Sequence, residues 1–376
     1  MDRVEIADKN TVIVYNKEPF PSILDCVDQL MGIVPKAYVE KVGDEGFAKN
    51  AIGAGPFRAI KYKQDASFEA EAVEEHYRKV PNIKRVRYLN VQENATRMAM
   101  MKASEVDLCK LDYGTFWELK DDPNIRIEYI RNTYCVTLAF YDLLFPKEKS
   151  PFLDVRVRKA TSLAIDRKGI CEGVLHGLNE PTANYIAPYT IGYDPSIKPD
   201  PYDPEKAKAL LKEAGYPNGF ETTICSSPIA KYEMQAIAAM LTKVGIRTKV
   251  LQYESGTYRA RVTKKTARGL GRHPGPWWVG KTHPASALDH FKSTATWCFY
   301  TTPEVDKLME ELEALTDEKE ITAKARKVTK LYSENYIRAP LWAQSVPYGM
   351  GPRIKYWKQT PGWVFAVNFE FLELNE

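Results

Sequence analysis

The sequence predicts an α/β protein in two lobes, and three observations point there. The chain has 376 residues, 44% of them hydrophobic, and single cores stop growing near roughly 250–300 residues. Strand-like and helix-like segments alternate with short links through its middle, the pattern of a sheet covered by crossover helices. Both ends are β-rich instead. Residues 1–131 and 347–376 are therefore expected to form one lobe, β-rich and partial, and residues 132–346 the other.

VEIADKNTVIVYN, residues 4–16, reads as two strands around an Asp-Lys-Asn turn, a hairpin at the front of the chain. An edge that early calls for a partner strand. SILDCVDQLMGIV has helical texture, and in NAIGAGPFRAIKY the residues Gly53, Gly55 and Pro56 punctuate a turn ahead of a strand. The further glycine or Gly-Lys-Ser/Thr ending of a phosphate-binding loop is missing. IKRVRYLNV alternates as a strand does, and Ala95, Met98 and Met101 recur at three-residue steps, as on the packed face of a helix. Core packing explains these methionines better than a soft metal box.

YCVTLAFYD is an apolar strand, and Asp154 stands as N-cap to the helical region DVRVRKATSLAIDRKGICEGVL. In DPYDPEKAKALLKEAGYP, Asp203 caps, Pro204 takes the first turn, Leu210, Leu211 and Ala214 form the buried face, and Gly215 ends the helix. FETTICSSP, YEMQAIAAMLTKVGI, RTKVLQYE and SGTYRARVTKKT then read strand, helix, strand, helix. Two further helices meet at Thr316 and Asp317, the second running into the strand PLWAQSVP, and the tail RIKYWKQTPGWVFAVNFEFLEL is mostly β.

A net charge of +4 with both signs interspersed gives no global field toward nucleic acid or an anionic membrane. No apolar run approaches the roughly 18 residues that cross a bilayer. The start MDRVEIADKNT has neither the basic nor the apolar region of a secretory signal, so the expectation is a soluble chain without an export address. Six cysteines without a CxxC fit neither a disulfide framework nor zinc. There is no GxSxG elbow, and Ser226 and Ser227 precede a proline without the required glycines. There is no HExxH, and Pro284 interrupts the spacing from His283 to His290. Arg259 to Arg272 is basic but lacks interleaved aromatics and reads as a solvated helix. No catalytic residue, metal or cofactor is expected.

One stretch stands apart. GRHPGPWWVGKTHPAS, residues 271–286, holds two adjacent tryptophans, a lysine and two histidines with no carboxylate. Trp277 and Trp278 suit either a core or a flat ligand surface, and Lys281 and His283 suit negative charge or hydrogen-bond acceptors.

NAIGAGPF, followed by FEAEAVEEHYRKVPNIKRVRYLNVQENATRMAMMKASEVDL, resembles the extracytoplasmic solute-binding proteins of the oligopeptide, dipeptide and nickel class of ABC transporters, bacterial family 5. SPFLDVRVRKATSLAIDRKGICEGVLHGLNEPTANYIAP and YDPEKAKALLKEAGYPNGF continue the likeness in the family's order, over essentially the whole chain. The resemblance implies a type II periplasmic-binding-protein fold with mixed sheets. Its two lobes would close around a ligand at strands crossing near Asn132 and Val346, without covalent chemistry. It implies a monomeric carrier for peptides or similar small solutes that meets an ABC transporter permease in the periplasm or cell envelope. Members of the family carry about a quarter more chain at the N-terminus, so a fragment, a split gene product or an offshoot with an open cleft is implied here.

In peptide-binding members, the loop after a Trp-x-Gly turn presents an aspartate to the ligand's α-amino group. The resemblance places Lys281 there, with His283 and Ala285 where other family carboxylates sit. A cation repels an ammonium by a few kcal/mol at low dielectric, so an anionic, acylated or sugar-acid ligand is favoured. The family's carboxylate-holding segment corresponds to SSPIAKYEM, which offers Lys231 and Tyr232. The implied ligand set is Trp277, Trp278, Lys281, His283, Lys231 and Tyr232. A small-molecule hydrolase or transferase working in the same crevice, and a remnant that binds nothing, are the alternatives.

Overall fold

A computed structural model describes residues 2–17, 19–21, 23, 27, 32–275, 283–357, 359 and 368–375. Its strands are β1 (Arg3–Asp8), β2 (Thr11–Tyr15), β3 (Phe57–Lys63), β4 (Ser67–Ala72), β5 (Arg85–Leu89), β6 (Leu108–Lys110), β7 (Arg126–Phe140) and β8 (Glu180–Pro181). After these come β9 (Phe220–Ser226), β10 (Ile246–Gln252), β11 (Leu270–Pro274), β12 (Arg338–Met350), β13 (Ile354–Tyr356) and β14 (Glu373–Leu374). The chain divides into two compact units, Met1–Asp25 with Asn132–Gln344, and Cys26–Arg131 with Ser345–Glu376. The front hairpin β1–β2, expected beside residues 26–131, clusters with the middle of the chain. Two of the passages between units fall inside β7 and β12.

In the first unit the strand order is β10-β9-β11-β7-β12, with β8 paired to β12. β9 and β10 run parallel in register from Phe220↔Ile246 to Ser226↔Gln252. β11 is parallel to β9 and antiparallel to β7. The helix Lys231–Lys243 makes the crossover from β9 to β10 and buries Met234, Ile237, Ala238 and Leu241, a spacing that puts all four on one face. Met234, Ile237 and Leu241 each contribute about 1.5–3 kcal/mol on burial. The two parallel strands start so close together that a Cβ on Gly219, whose φ is 68°, would stand 1.9 Å from the Gly245 carbonyl oxygen. Only glycine fits there.

Two amphipathic helices cover the unit further on. Pro303–Glu313 buries Val305, Leu308, Met309 and Leu312, and Glu318–Glu334 buries Ile321, Ala325, Val328 and Tyr332. Tyr332 stacks on Phe291 with ring centroids 3.6 Å apart. The helix Pro204–Glu213 buries Ala207 and Leu211, while Leu210 and Ala214 are half-buried. The helical region begun at Asp154 ends at Leu163; Asp166 then accepts from the Gly169 amide at 2.9 Å and opens one turn that continues as a π-helix, Ile170–Val174. That aspartate is why the expected helical region is interrupted.

The second unit has the antiparallel sheet β3-β4-β5, the pair β13–β14, and β6 beside the end of β12, with Leu108 opposite Met350. The helix Lys36–Lys49 bends at Gly43, φ 67°, and buries none of its residues. Asn94–Lys102 buries Met101. The tail, read as mostly β, has only β13 and β14 among its described residues. Among the described residues no helix is long and apolar enough to cross a membrane.

Candidate ligand site

The carboxyl ends of parallel strands are where open α/β sheets present their binding groups. At that edge of the first unit, β11 passes β9 with Gly271 opposite Cys225, so Arg272 stands level with Ser226, the last residue of β9. From Ser226 the chain turns through Ser227 and Pro228–Ala230 into the helix Lys231–Lys243, whose first turn carries Glu233. Arg272 Nε lies 3.7 Å from Glu233 Oε1, with the two side chains 13% and 4% exposed. Its Nη2 donates to Gln344 Oε1 at 3.2 Å and to the Tyr134 hydroxyl at 3.4 Å. Tyr258 OH donates to the Arg272 carbonyl at 2.6 Å, which fixes the strand beneath the guanidinium. Burial pushes the Glu233 carboxyl above its ordinary range, and the Arg272 charge works against that rise.

Successive residues of a strand face opposite ways. His273 accordingly points to the other side of the sheet, where Arg338 Nη1 donates to its Nδ1 at 3.0 Å and Arg338 Nη2 donates to the Trp297 carbonyl at 2.6 Å. The His290 ring stands 5.4 Å from that of His273. Burial first, then the neighbouring Arg338 charge, holds His273 well below the usual imidazole range and brings His290 down to about 3. Both rings are neutral at physiological pH.

Of the residues singled out in the sequence, Trp277, Trp278 and Lys281 lie outside the described residues. Lys231 and Tyr232 sit side by side at the start of their helix, with the ammonium 5.5 Å from the ring centroid and Tyr232 69% exposed. His283 is buried. Its Nδ1 accepts from the Ala285 amide at 3.3 Å, capping the helix Pro284–Ala287, and its Nε2 donates to the Leu315 carbonyl at 3.2 Å. Burial lowers its pKa. Arg272, Glu233, Tyr134 and Gln344 escaped the sequence reading. Arg272 closes the basic segment that reads as a solvated helix, but that helix stops at Thr263, and Gly269, with φ 65°, turns the chain into β11.

Comparison with known proteins adds independent findings. The model of the family "Bacterial extracellular solute-binding proteins, family 5 Middle" matches residues 1–297. Heme-binding protein A of Haemophilus influenzae is 30% identical, over 95% of this chain and 67% of its own length. The dipeptide-binding protein of Escherichia coli is 28% identical, over 69% of this chain and 50% of its own. Glutathione-binding protein GsiB of Shigella boydii is 29% identical, over 82% and 62%. The chain thus spans about half to two thirds of the length of these curated relatives. Among solved structures, the periplasmic binding protein DppA of Helicobacter pylori, in complex with the peptide STSA, superposes with a TM-score of 0.84 at 22% identity, over 100% of this chain and 74% of that one. AppA of Clostridium difficile, described as a peptide binding protein, gives 0.86 at 18%, over 99% and 78%. The fold is that of the type II periplasmic binding proteins, and with the match over residues 1–297 the chain belongs to the bacterial extracellular solute-binding proteins of family 5.

Proposed function

We propose that this chain is the substrate-binding subunit, or the larger part of one, of an ABC importer for peptides or similar small solutes. It works outside the cytoplasmic membrane, binds its solute without altering it, and delivers it to a permease. The observation that carries this reading is the family match over residues 1–297, supported by relatives named for dipeptide, heme and glutathione binding. Binding is expected at the carboxyl edge of β9, with Lys231 and Tyr232 contributing, and on the segment that carries Trp277, Trp278 and Lys281; His283, expected from the sequence to contribute, is instead taken up by the Ala285 amide and the Leu315 carbonyl. Lys281 replaces the aspartate that holds a ligand amine in peptide-binding members, so anionic or N-acylated solutes are favoured over free-amine peptides. A thermal-shift panel of short peptides, acylated peptides and sugar acids tests this. Anionic members should raise the melting temperature, and Lys281→Asp should reverse the preference toward free amines. A panel without a single stabiliser would remove the reading.

A further inference from the structure

Arg158, Arg167 and Arg338 are the buried arginines of the first unit among the described residues, and their surroundings treat them differently. Arg158 donates from all three guanidinium nitrogens to main-chain carbonyls. Arg167 gives its Nε to the Pro340 carbonyl at 2.7 Å, its Nη1 to the Ser162 carbonyl at 3.0 Å and its Nη2 to the Ser162 hydroxyl at 2.6 Å. That hydroxyl in turn donates to Asp200 Oδ2 at 2.6 Å, so a carboxylate stands one bond behind the Arg167 charge. Arg338, 2% exposed at the start of β12, uses Nη1 and Nη2 alone. Its Nε is buried without a partner.

The groups that Arg338 does meet are neutral: His273 Nδ1, the Trp297 carbonyl, and the face of Phe299, whose ring centroid is 4.9 Å from Cζ. Because His273 Nδ1 accepts, the proton of that ring sits on Nε2, and this N–H is also buried without a partner. The Tyr332 hydroxyl, buried close enough to feel the Arg338 charge, is the third such group. Were it to accept from Arg338 Nε, its own proton would still need an acceptor. The rings of His290, Trp297 and Phe299 pack around His273 with centroids 5.0–5.6 Å away. A full positive charge and three polar hydrogens short of acceptors are thus gathered in one part of the core. A buried charge without a counter-charge is costly, and each buried donor without an acceptor adds to that cost. A water molecule would answer the donors but not the charge.

We propose that the Arg338 cluster binds a small monovalent inorganic anion, chloride, inside the first unit, with Arg338 Nε and the Tyr332 hydroxyl as its donors. A halide takes hydrogen bonds from several directions at once, and the positive edges of aromatic rings suit it. The ion serves stability and has no part in solute recognition: His273 and Arg272 are successive residues of β11 and so face opposite sides of the sheet. The inference therefore stands apart from the solute-binding reading.

The test follows the melting temperature of the full chain as sodium chloride replaces sodium methanesulfonate at constant ionic strength. Above half-saturation the melting temperature should rise by about 2 °C for each tenfold increase in chloride. Arg338→Met should abolish the rise. Tyr332→Phe, which keeps the guanidinium and removes one donor, should move its onset to severalfold higher chloride, and it decides the matter if the methionine variant does not fold. Lys281→Asp, on the segment expected to meet solute, should leave the rise unchanged. Crystals grown in sodium bromide should give an anomalous peak against Arg338. A melting temperature that does not distinguish chloride from methanesulfonate overturns the proposal, as does an onset unmoved in Tyr332→Phe. Bromide found on surface lysines and not at Arg338, an adventitious ion only, overturns it too. A rise that disappears in Lys281→Asp assigns the chloride to the solute site, which overturns this inference and leaves the solute-binding reading in place.

Discussion

Thr133 Oγ1 donates to the Gln344 carbonyl at 2.9 Å, and this bond ties β7 to β12 within one residue of where each strand passes from unit to unit. Thr133 is fully buried, and its own carbonyl accepts from the Tyr189 hydroxyl at 2.7 Å. Thr133→Val keeps the shape and removes the donor, which leaves a buried carbonyl short of a partner. The expected loss is about 1–2 kcal/mol, read as a lowered urea midpoint, with Thr133→Ser close to the wild type.

Arg158 serves a different part of the same unit. Its Nη2 donates to the Asn335 carbonyl at 2.7 Å, Nε to the Tyr336 carbonyl at 3.0 Å, and Nη1 to the Phe152 carbonyl at 2.7 Å. Asn335 ends the helix Glu318–Glu334, so the guanidinium satisfies carbonyls at a helix C-terminus and stands at its negative end. Arg158→Met fills most of the volume and leaves those acceptors bare. A loss of about 2–4 kcal/mol in chemical denaturation is expected.

The histidines of the first unit set an acid limit. An unfolded histidine titrates near its ordinary 6.5, whereas folded His290 does so at about 3 and His273 is also held well below the usual range. As pH falls below 6.5 the unfolded chain takes up protons that the folded chain refuses. The stability present above pH 6.5 is therefore lost toward pH 3, at up to about 1.4 kcal/mol per pH unit for each histidine. Melting temperatures between pH 8 and pH 5 should fall accordingly, and the His290→Phe variant should fall less steeply.

Local signals carried much of this fold. Asp154, Asp203 and Asp317 each stand at a helix start in the sequence, and each side chain accepts from amides of the first turn. The front hairpin and the β9–helix–β10 crossover follow from alternation and punctuation in the same way. The group around Arg272 does not. Tyr134, Glu233, Arg272 and Gln344 lie on four elements far apart in the chain, and nothing in the neighbourhood of any one specifies the other three. Even the secondary structure of Arg272 was hidden, because the basic run before it matches a helix until Gly269 reverses the backbone.

The passages through β7 and β12 have a consequence for cooperativity. Asn132, at the β7 passage, has a φ of 52°, the only positive φ of a non-glycine strand residue among the described residues. Even so, its neighbours stay pinned by the Thr133 and Tyr189 bonds. A protease that hunts for slack tethers finds little purchase there, although the side chain of Arg131 next door is exposed. β7 and β12 each run unbroken from one unit into the next, so heat should reveal a single shared transition in place of two independent ones.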